Sequence, residues 1–284
     1  MRPMTHADVD AVIAVVRAAD NAAERQAGRE PEEVSDERRA RSVRGMHRFV
    51  DRDPDGAWVA VVDGAVVGIA ESIRRGDFWG LSMLFVHPDL QGRGVGRELM
   101  DAALGYAVGA RVRMIMTSED PRALRRYSSA GLAIHPAVKA VGTITRHTIP
   151  ADLRGRDGDA DDLGLVADVD AGLGRSRAED VEFDVSRGFR LHIVDDVAGR
   201  GFAITDTKSL AMLGATDEAT AAHLMWRHLA ESEGKQELYC LTAGQDWAVR
   251  VALAAGLVVS GCGPLFVDGM DRLPGPWIPS GWYF

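Results

Sequence analysis

Residues 86–97 read Val86-His87-Pro88-Asp89-Leu90-Gln91-Gly92-Arg93-Gly94-Val95-Gly96-Arg97. An apolar stretch with strand character, Trp79–Val86, leads into them and stops at Pro88. Beyond them Val95, Leu99, Ala102, Ala103 and Tyr106 recur at the spacing of one helical face. The segment is therefore a strand, a turn holding three glycines, and a helix N-terminus. Backbone N–H groups converge at such a helix end, and the helix dipole favours negative charge there. Glycine lets the main chain approach a ligand without an intervening side chain, and Arg93 and Arg97 offer charge-assisted hydrogen bonds to a phosphate. A phosphate-binding loop is the reading this stretch supports.

Elimination narrows the kind of loop. A Walker loop needs a lysine and a hydroxyl after its glycines, and neither is present. A dinucleotide fingerprint starting at Gly92 would need glycine at position 97, where Arg97 stands. What fits is Gln-x-x-Gly-x-Gly at Gln91, Gly94 and Gly96 after an apolar strand ending in Val-x-Pro, and this resembles the acetyl-CoA pyrophosphate loop of the GNAT acyltransferase superfamily. Taken alone, the motif also reads as a glycine-rich turn that only tightens packing.

A second match follows at the place this resemblance requires. Arg111–Thr117 has strand composition, Asp120-Pro121 starts a helix, and Gly131 ends it. Ala123-Leu-Arg-Arg-Tyr-Ser-Ser-Ala-Gly-Leu132 resembles the family's Ala-x-x-x-Tyr-x-x-x-Gly-Phe signature. By spacing alone Tyr127 reads equally well as an amphipathic core residue. The resemblance implies that it protonates the departing coenzyme thiolate. Asp120 replaces an asparagine common at this helix start and is expected to make a different polar contact to the pantetheine arm.

The resemblance further implies that acetyl-CoA is the cosubstrate, with no metal. Its pantetheine amides would pair with the main chain of Leu84, Phe85 and Val86. Its pyrophosphate would rest on the amides of Gln91, Gly92, Arg93, Gly94, Val95 and Gly96, near the Arg93 and Arg97 side chains. An amine acceptor arrives protonated, so a base is needed. Glu71 on the third strand is the leading carboxylate, although a plain solvent-facing strand residue fits the pattern as well. His87 and Asp77 are weaker candidates.

The pattern predicts a helix over residues 7–21 and another over 38–50. It then predicts a hairpin turning at Asp63-Gly64, the strand, loop and helix above, a strand, a helix, and a final strand pair near Ile134–Val141 and Thr143–Ile149. With a short strand inside Met1–Met4 this is the GNAT order. Residues 151–162 are polar, acidic and glycine-containing, and read as a linker. Beyond them the outline repeats, ending in Ala255-Gly256-Leu257 as the first copy ends in Ala130-Gly131-Leu132. The expected fold class is α/β with mixed sheets in two tandem GNAT-like domains, each a mostly antiparallel sheet flanked by helices. The catalytic domain is placed at 1–150 and a degenerate copy at 163–284. That copy lacks the glycine loop, carries Asp217 and Glu218 at its helix start, and has Val251 or Leu253 where Tyr127 would be matched.

With 284 residues, 46% hydrophobic and 26% charged, the chain reads as globular rather than disordered. No apolar run reaches the roughly 18 residues of a membrane span, and two cysteines make no disulfide framework. A net charge of −9 argues against nonspecific nucleic-acid binding. A basic run from Arg38 to Arg48 alternates with acids from Glu32 to Glu37, as a solvated helix does. A cytoplasmic protein acting on a small-molecule amine is expected. The proline- and aromatic-rich end, residues 274–284, is read as folding back onto a surface, where it lines a pocket or covers a homodimer contact. A noncatalytic acyl-CoA sensor and a mycothiol-synthase-like biosynthetic enzyme are the alternatives. Against the latter, the intact loop here lies in the first half rather than the second.

Overall fold

The computed structural model of the protein describes residues 1–31, 33–270 and 272–283, so Glu32 of the charged run and Phe284 of the tail lie outside the described residues. The chain divides into two compact units, Met1–Arg113 and Met114–Phe284.

The first unit contains β1 (Arg2–Pro3), α1 (Val9–Gln26), α2 (Asp36–Arg52), β2 (Ala57–Val62), β3 (Ala65–Arg75), β4 (Phe78–Val86) and α3 (Val95–Tyr106). Strands β1 to β4 form an antiparallel array in chain order. The turn between β2 and β3 is set by Asp63 and Gly64, both at positive φ (49° and 82°), the conformation a tight hairpin needs. Helix α3 packs on β2, β3 and β4, and α1 on β3 and β4. A glycine makes the α3 contact close: a Cβ on Gly68 would lie 2.9 Å from Leu99 Cδ1. Both long helices exceed their expected spans. A single 3-10 turn, His6–Asp8, precedes α1, with Asp8 accepting from the Thr5 N–H at 2.9 Å. Ser35 caps α2 by accepting from the Arg38 N–H.

β5 (Val112–Met116) runs from the first unit into the second. The second unit continues with α4 (Pro121–Ser129), β6 (Ala133–Thr143), β7 (Arg156–Asp157), α5 (Leu163–Gly172), α6 (Ala178–Ser186), β8 (Arg190–Asp196), β9 (Gly199–Thr205), β10 (Leu210–Ala215), α7 (Glu218–Glu231), β11 (Lys235–Thr242), α8 (Asp246–Ala254), β12 (Val258–Asp268) and β13 (Trp277–Ile278). Within this unit β5, β12, β6 and β11 lie side by side in that order, and β13, β10, β9, β8 and β7 form a second sheet.

Three expectations change here. The predicted strand pair over 134–149 is one strand, β6, followed by a single turn at Arg146–Thr148. Its partners come from the repeat: β6 pairs antiparallel with β11 on one side and β12 on the other. Ala140 and Ile144 therefore enter a core with Leu224, Leu238, Ala252 and Leu257. Pro136 is tolerated because it faces a bulge between Cys262 and Leu265, where ladder hydrogen bonds are interrupted.

Second, the acidic stretch read as a linker holds structure. Arg156 binds Asp162, which also takes the Asp159 N–H at 3.0 Å. Arg2, Asp8 and Thr5 repeat this arrangement at the other end of the chain. β7 and its turn are thus the second copy's β1. Third, overlaying Ala130-Gly131-Leu132 on Ala255-Gly256-Leu257, whose glycines share a φ of +85°, puts buried Ala252 opposite Tyr127 rather than Val251 or Leu253.

Candidate functional site

Strand β4 hands over to the glycine turn through the His87 N–H, which donates to Val67 O at 2.8 Å. A turn at Pro88–Leu90 follows, closed by Leu90 N–H to His87 O at 2.9 Å. Gln91 then ties the loop back, its side-chain amide donating to Val86 O at 3.1 Å and its backbone N–H to Pro88 O at 3.2 Å. The Gln91 amide is therefore spent inside the loop, a correction to the expected phosphate cradle. Gly92 (φ +79°) and Gly94 (φ +92°) are in the left-handed region, so glycine serves the backbone here rather than clearance. Gly94 caps α3 with its carbonyl, which accepts from Arg97 N–H at 2.8 Å.

Among the described residues, the backbone N–H groups of Gly92, Arg93, Gly94, Val95 and Gly96 donate to no protein acceptor. Among the described residues Arg93 and Arg97 are exposed and pair with no acid. The Val95 side chain turns inward over Gly68, leaving only its amide for a ligand. Five unclaimed donors and two cations at a helix N-terminus are the chemistry that an anion with several oxygens, such as a pyrophosphate, requires. Along β4, the alternation that puts Phe85 and His87 on the β3 ladder turns the N–H and C=O of Leu84 and Val86 away from β3. Leu84, Phe85 and Val86 are themselves half-buried.

Glu71 is fully buried, contrary to a solvent-facing strand position, and neither carboxylate oxygen has a partner. Burial, and behind it the neighbouring Asp53 carboxylate, raises its pKa well above the ordinary value. Asp53 is the acid that sequence reading missed. It is 1% exposed and accepts from the Arg74 N–H, Arg75 Nη1 and the Tyr106 hydroxyl. Its only sequence signal is the Asp53-Pro54 pair that ends α2. Burial, then Asp53, pushes the Tyr106 hydroxyl up to about 12. Asp77 is a turn residue whose carbonyl accepts from Arg111 and Val112, and His87 lies 3.7 Å from Asp89.

Tyr127 and Asp120 belong to the second unit, and the loop residues to the first. Tyr127 is 5% exposed, its ring set edge-on to Phe266 at 5.6 Å, and burial raises its hydroxyl to about 12. Asp120 caps α4, accepting from the Arg122 N–H at 2.8 Å, and pairs with the Arg122 guanidinium. Both its oxygens are engaged, so the expected pantetheine contact would have to displace Arg122. A further cluster, Asp157, His192 and Glu231, has the composition of a metal site. Arg227 bridges it instead: Nε is 3.0 Å from His192 Nδ1 and 3.1 Å from Glu231, and Nη2 is 2.8 Å from Asp157.

Residues 20–132 match the model of the acetyltransferase (GNAT) family. A stretch of 78 residues, 25% of this chain, is 35% identical to an uncharacterized N-acetyltransferase of Archaeoglobus fulgidus. The chain spans about half (53%) the length of that relative. Similar solved structures include a Pyrococcus horikoshii protein under an acetyltransferase name, with a TM-score of 0.78 at 15% identity over 100% of this chain and 95% of that one. A GCN5-related N-acetyltransferase from Sphaerobacter thermophilus gives 0.61 at 16% identity, covering 95% and 96%. A tandem GNAT protein from the clavulanic acid biosynthesis pathway gives 0.57 at 18%, covering 94% and 97%. At these identities the likeness is one of fold.

Proposed function

We propose, from the match of residues 20–132 to the model of the acetyltransferase (GNAT) family, that this chain transfers an acetyl group from acetyl-CoA to a small amine. The observation that carries this reading is the row of unclaimed amides from Gly92 to Gly96 beside Arg93 and Arg97, at the start of α3. These groups hold the pyrophosphate, and the outward main-chain groups of Leu84 and the Val86 N–H hold the pantetheine arm.

The neutral amine attacks the thioester carbonyl, the carbon–sulfur bond breaks, and Tyr127 gives its proton to the departing thiolate. A hydroxyl raised to about 12 keeps that proton throughout the neutral range. Glu71, with its raised pKa, takes the proton lost by the amine. Release of free thiol across a panel of small amines tests this reading. Tyr127→Phe is expected to lower kcat by about 10²-fold, the low end of general acid catalysis, with coenzyme affinity nearly unchanged. Full turnover in that variant would remove Tyr127 from the mechanism. The complete enclosure of Glu71 favours the second reading, a protein that binds acyl-CoA without turnover. Saturable coenzyme binding with no thiol release from any amine would establish it.

A further inference from the structure

The two copies can be overlaid on their glycines. Gly68 pairs with Val86 and Gly201 with Ala215, and a Cβ on either glycine would meet Leu99 or Leu224 at 2.9 Å. Thirteen positions separate Val86 from Leu99, but only nine separate Ala215 from Leu224. The second copy has lost four residues from the turn. What remains is closed by Asp217, whose carboxylate accepts from the Thr220 N–H and both neighbouring threonine hydroxyls. An acidic cap on this helix repels a pyrophosphate.

The strand edge survives, however, and it is filled. Ala215, the counterpart of Val86, donates its N–H to Pro276 O at 2.9 Å. β13 continues the pairing antiparallel, Gly214 with Trp277 and Leu213 with Ile278. These are the counterparts of Phe85 and Leu84. The start of α8 completes the contact: Gln245, at the place of Asp120, donates to Pro274 O at 2.9 Å, and Trp247, at the place of Arg122, donates to Gly275 O at 2.6 Å. Three successive carbonyls of one segment thus satisfy three donors. The prolines at 274 and 276 bring no N–H that would need an acceptor, and Trp277 and Ile278 are buried.

We propose that this edge of the second copy is a binding site for an extended peptide, occupied in cis by residues 274–278 of the chain's own tail. Its description as the coenzyme-side edge rests on the acetyl-CoA reading of the first copy; the peptide preference does not. Donors aimed at carbonyls along a strand edge recognise a backbone by strand addition, while the shortened, acid-capped turn rejects the coenzyme.

Hydrogen exchange on the full chain is the test, read at the amides of Leu213 and Ala215 with and without acetyl-CoA. Slow exchange unaffected by coenzyme is expected. In a chain ending at residue 272, exchange there should rise at least about tenfold. A synthetic peptide of residues 273–284 should restore slow exchange, and acetyl-CoA should not. Restoration by acetyl-CoA, or fast exchange in the intact chain, overturns the proposal. Should the shortened chain not fold, the full-length Gln245→Ala/Trp247→Phe variant serves instead. Faster exchange at Ala215 supports the proposal and unchanged exchange overturns it. Coenzyme that fails to slow exchange at Leu84 and Val86 sinks the acetyl-CoA reading alone and leaves the peptide site standing.

Discussion

Glu71 sits in an environment that its residue type does not prefer. A buried carboxyl with two unpartnered oxygens costs roughly 1–3 kcal/mol, and such a cost persists where the group has work to do. Because the folded-state pKa is raised, the fold is most stable below the ordinary carboxylate value. It loses stability as pH rises through the range up to the shifted one. Glu71→Met, which keeps the volume and removes the charge, is therefore expected to raise unfolding stability at pH 7 by about 1–3 kcal/mol. Turnover should fall about 10²-fold if Glu71 accepts the amine proton. Denaturant unfolding and a thiol-release assay on the same preparation check both. A stabilised variant with unchanged turnover would show that the carboxyl has no chemical role. The sequence placed Glu71 on the third strand but left its exposure open, because burial depends on helices packed over the strand. Asp53, which shifts it, is distant in sequence and carries no motif.

At the scale of elements, close backbone approaches govern what can be changed. A Cβ on Gly263 would fall 1.7 Å from Thr117 O, so β12 and the end of β5 meet at a separation only glycine permits. Gly263→Ala is expected to destabilise the protein by about 1–3 kcal/mol or more through forced strand separation, read as a lowered unfolding midpoint. An unchanged midpoint would mean that the strands can part without cost. The turn from β4 to α3 was legible because its glycines answer a local demand for positive φ at Gly92 and Gly94. The partners of β6 were not, since strand pairing is non-local and nothing in 133–143 points to residues 235–268. β13 was hidden for a related reason: a two-residue strand between prolines reads as a tail until a sheet edge is placed beside it. The acidic run 151–162 read as a linker because the Arg156–Asp162 pair that orders it resembles surface charge in one dimension.

For the molecule as a whole, the pairing of β6 with β11 and β12 means that the second repeat builds its sheet with a strand of the first. The second compact unit takes in β6, and its core joins residues of both repeats. It also carries a group expected to respond to acid. His228 is buried, and burial, then the nearby His192, lowers it to about 4. A depressed histidine contributes stability that is present above its ordinary value of 6.5 and is lost as pH falls toward 4, on the order of 3 kcal/mol for a shift of this size. The net charge of −9 falls to zero near pH 5.4 and turns positive below it, so relief of repulsion acts in the opposite direction only over the upper part of that range. Urea unfolding at pH 7 and pH 4.5 is expected to show a larger loss for the native chain than for His228→Gln. Equal losses would assign the acid response to other groups.

One working coenzyme site is expected, in the first repeat. Calorimetric titration of acetyl-CoA into the native chain and into Gly94→Glu, at one ionic strength, tests it most directly. About one equivalent is expected to bind to the native chain and none to the variant, because a carboxylate at the α3 N-terminus repels the pyrophosphate and a side chain strains the left-handed backbone there. Two equivalents, or binding that survives Gly94→Glu, would contradict it.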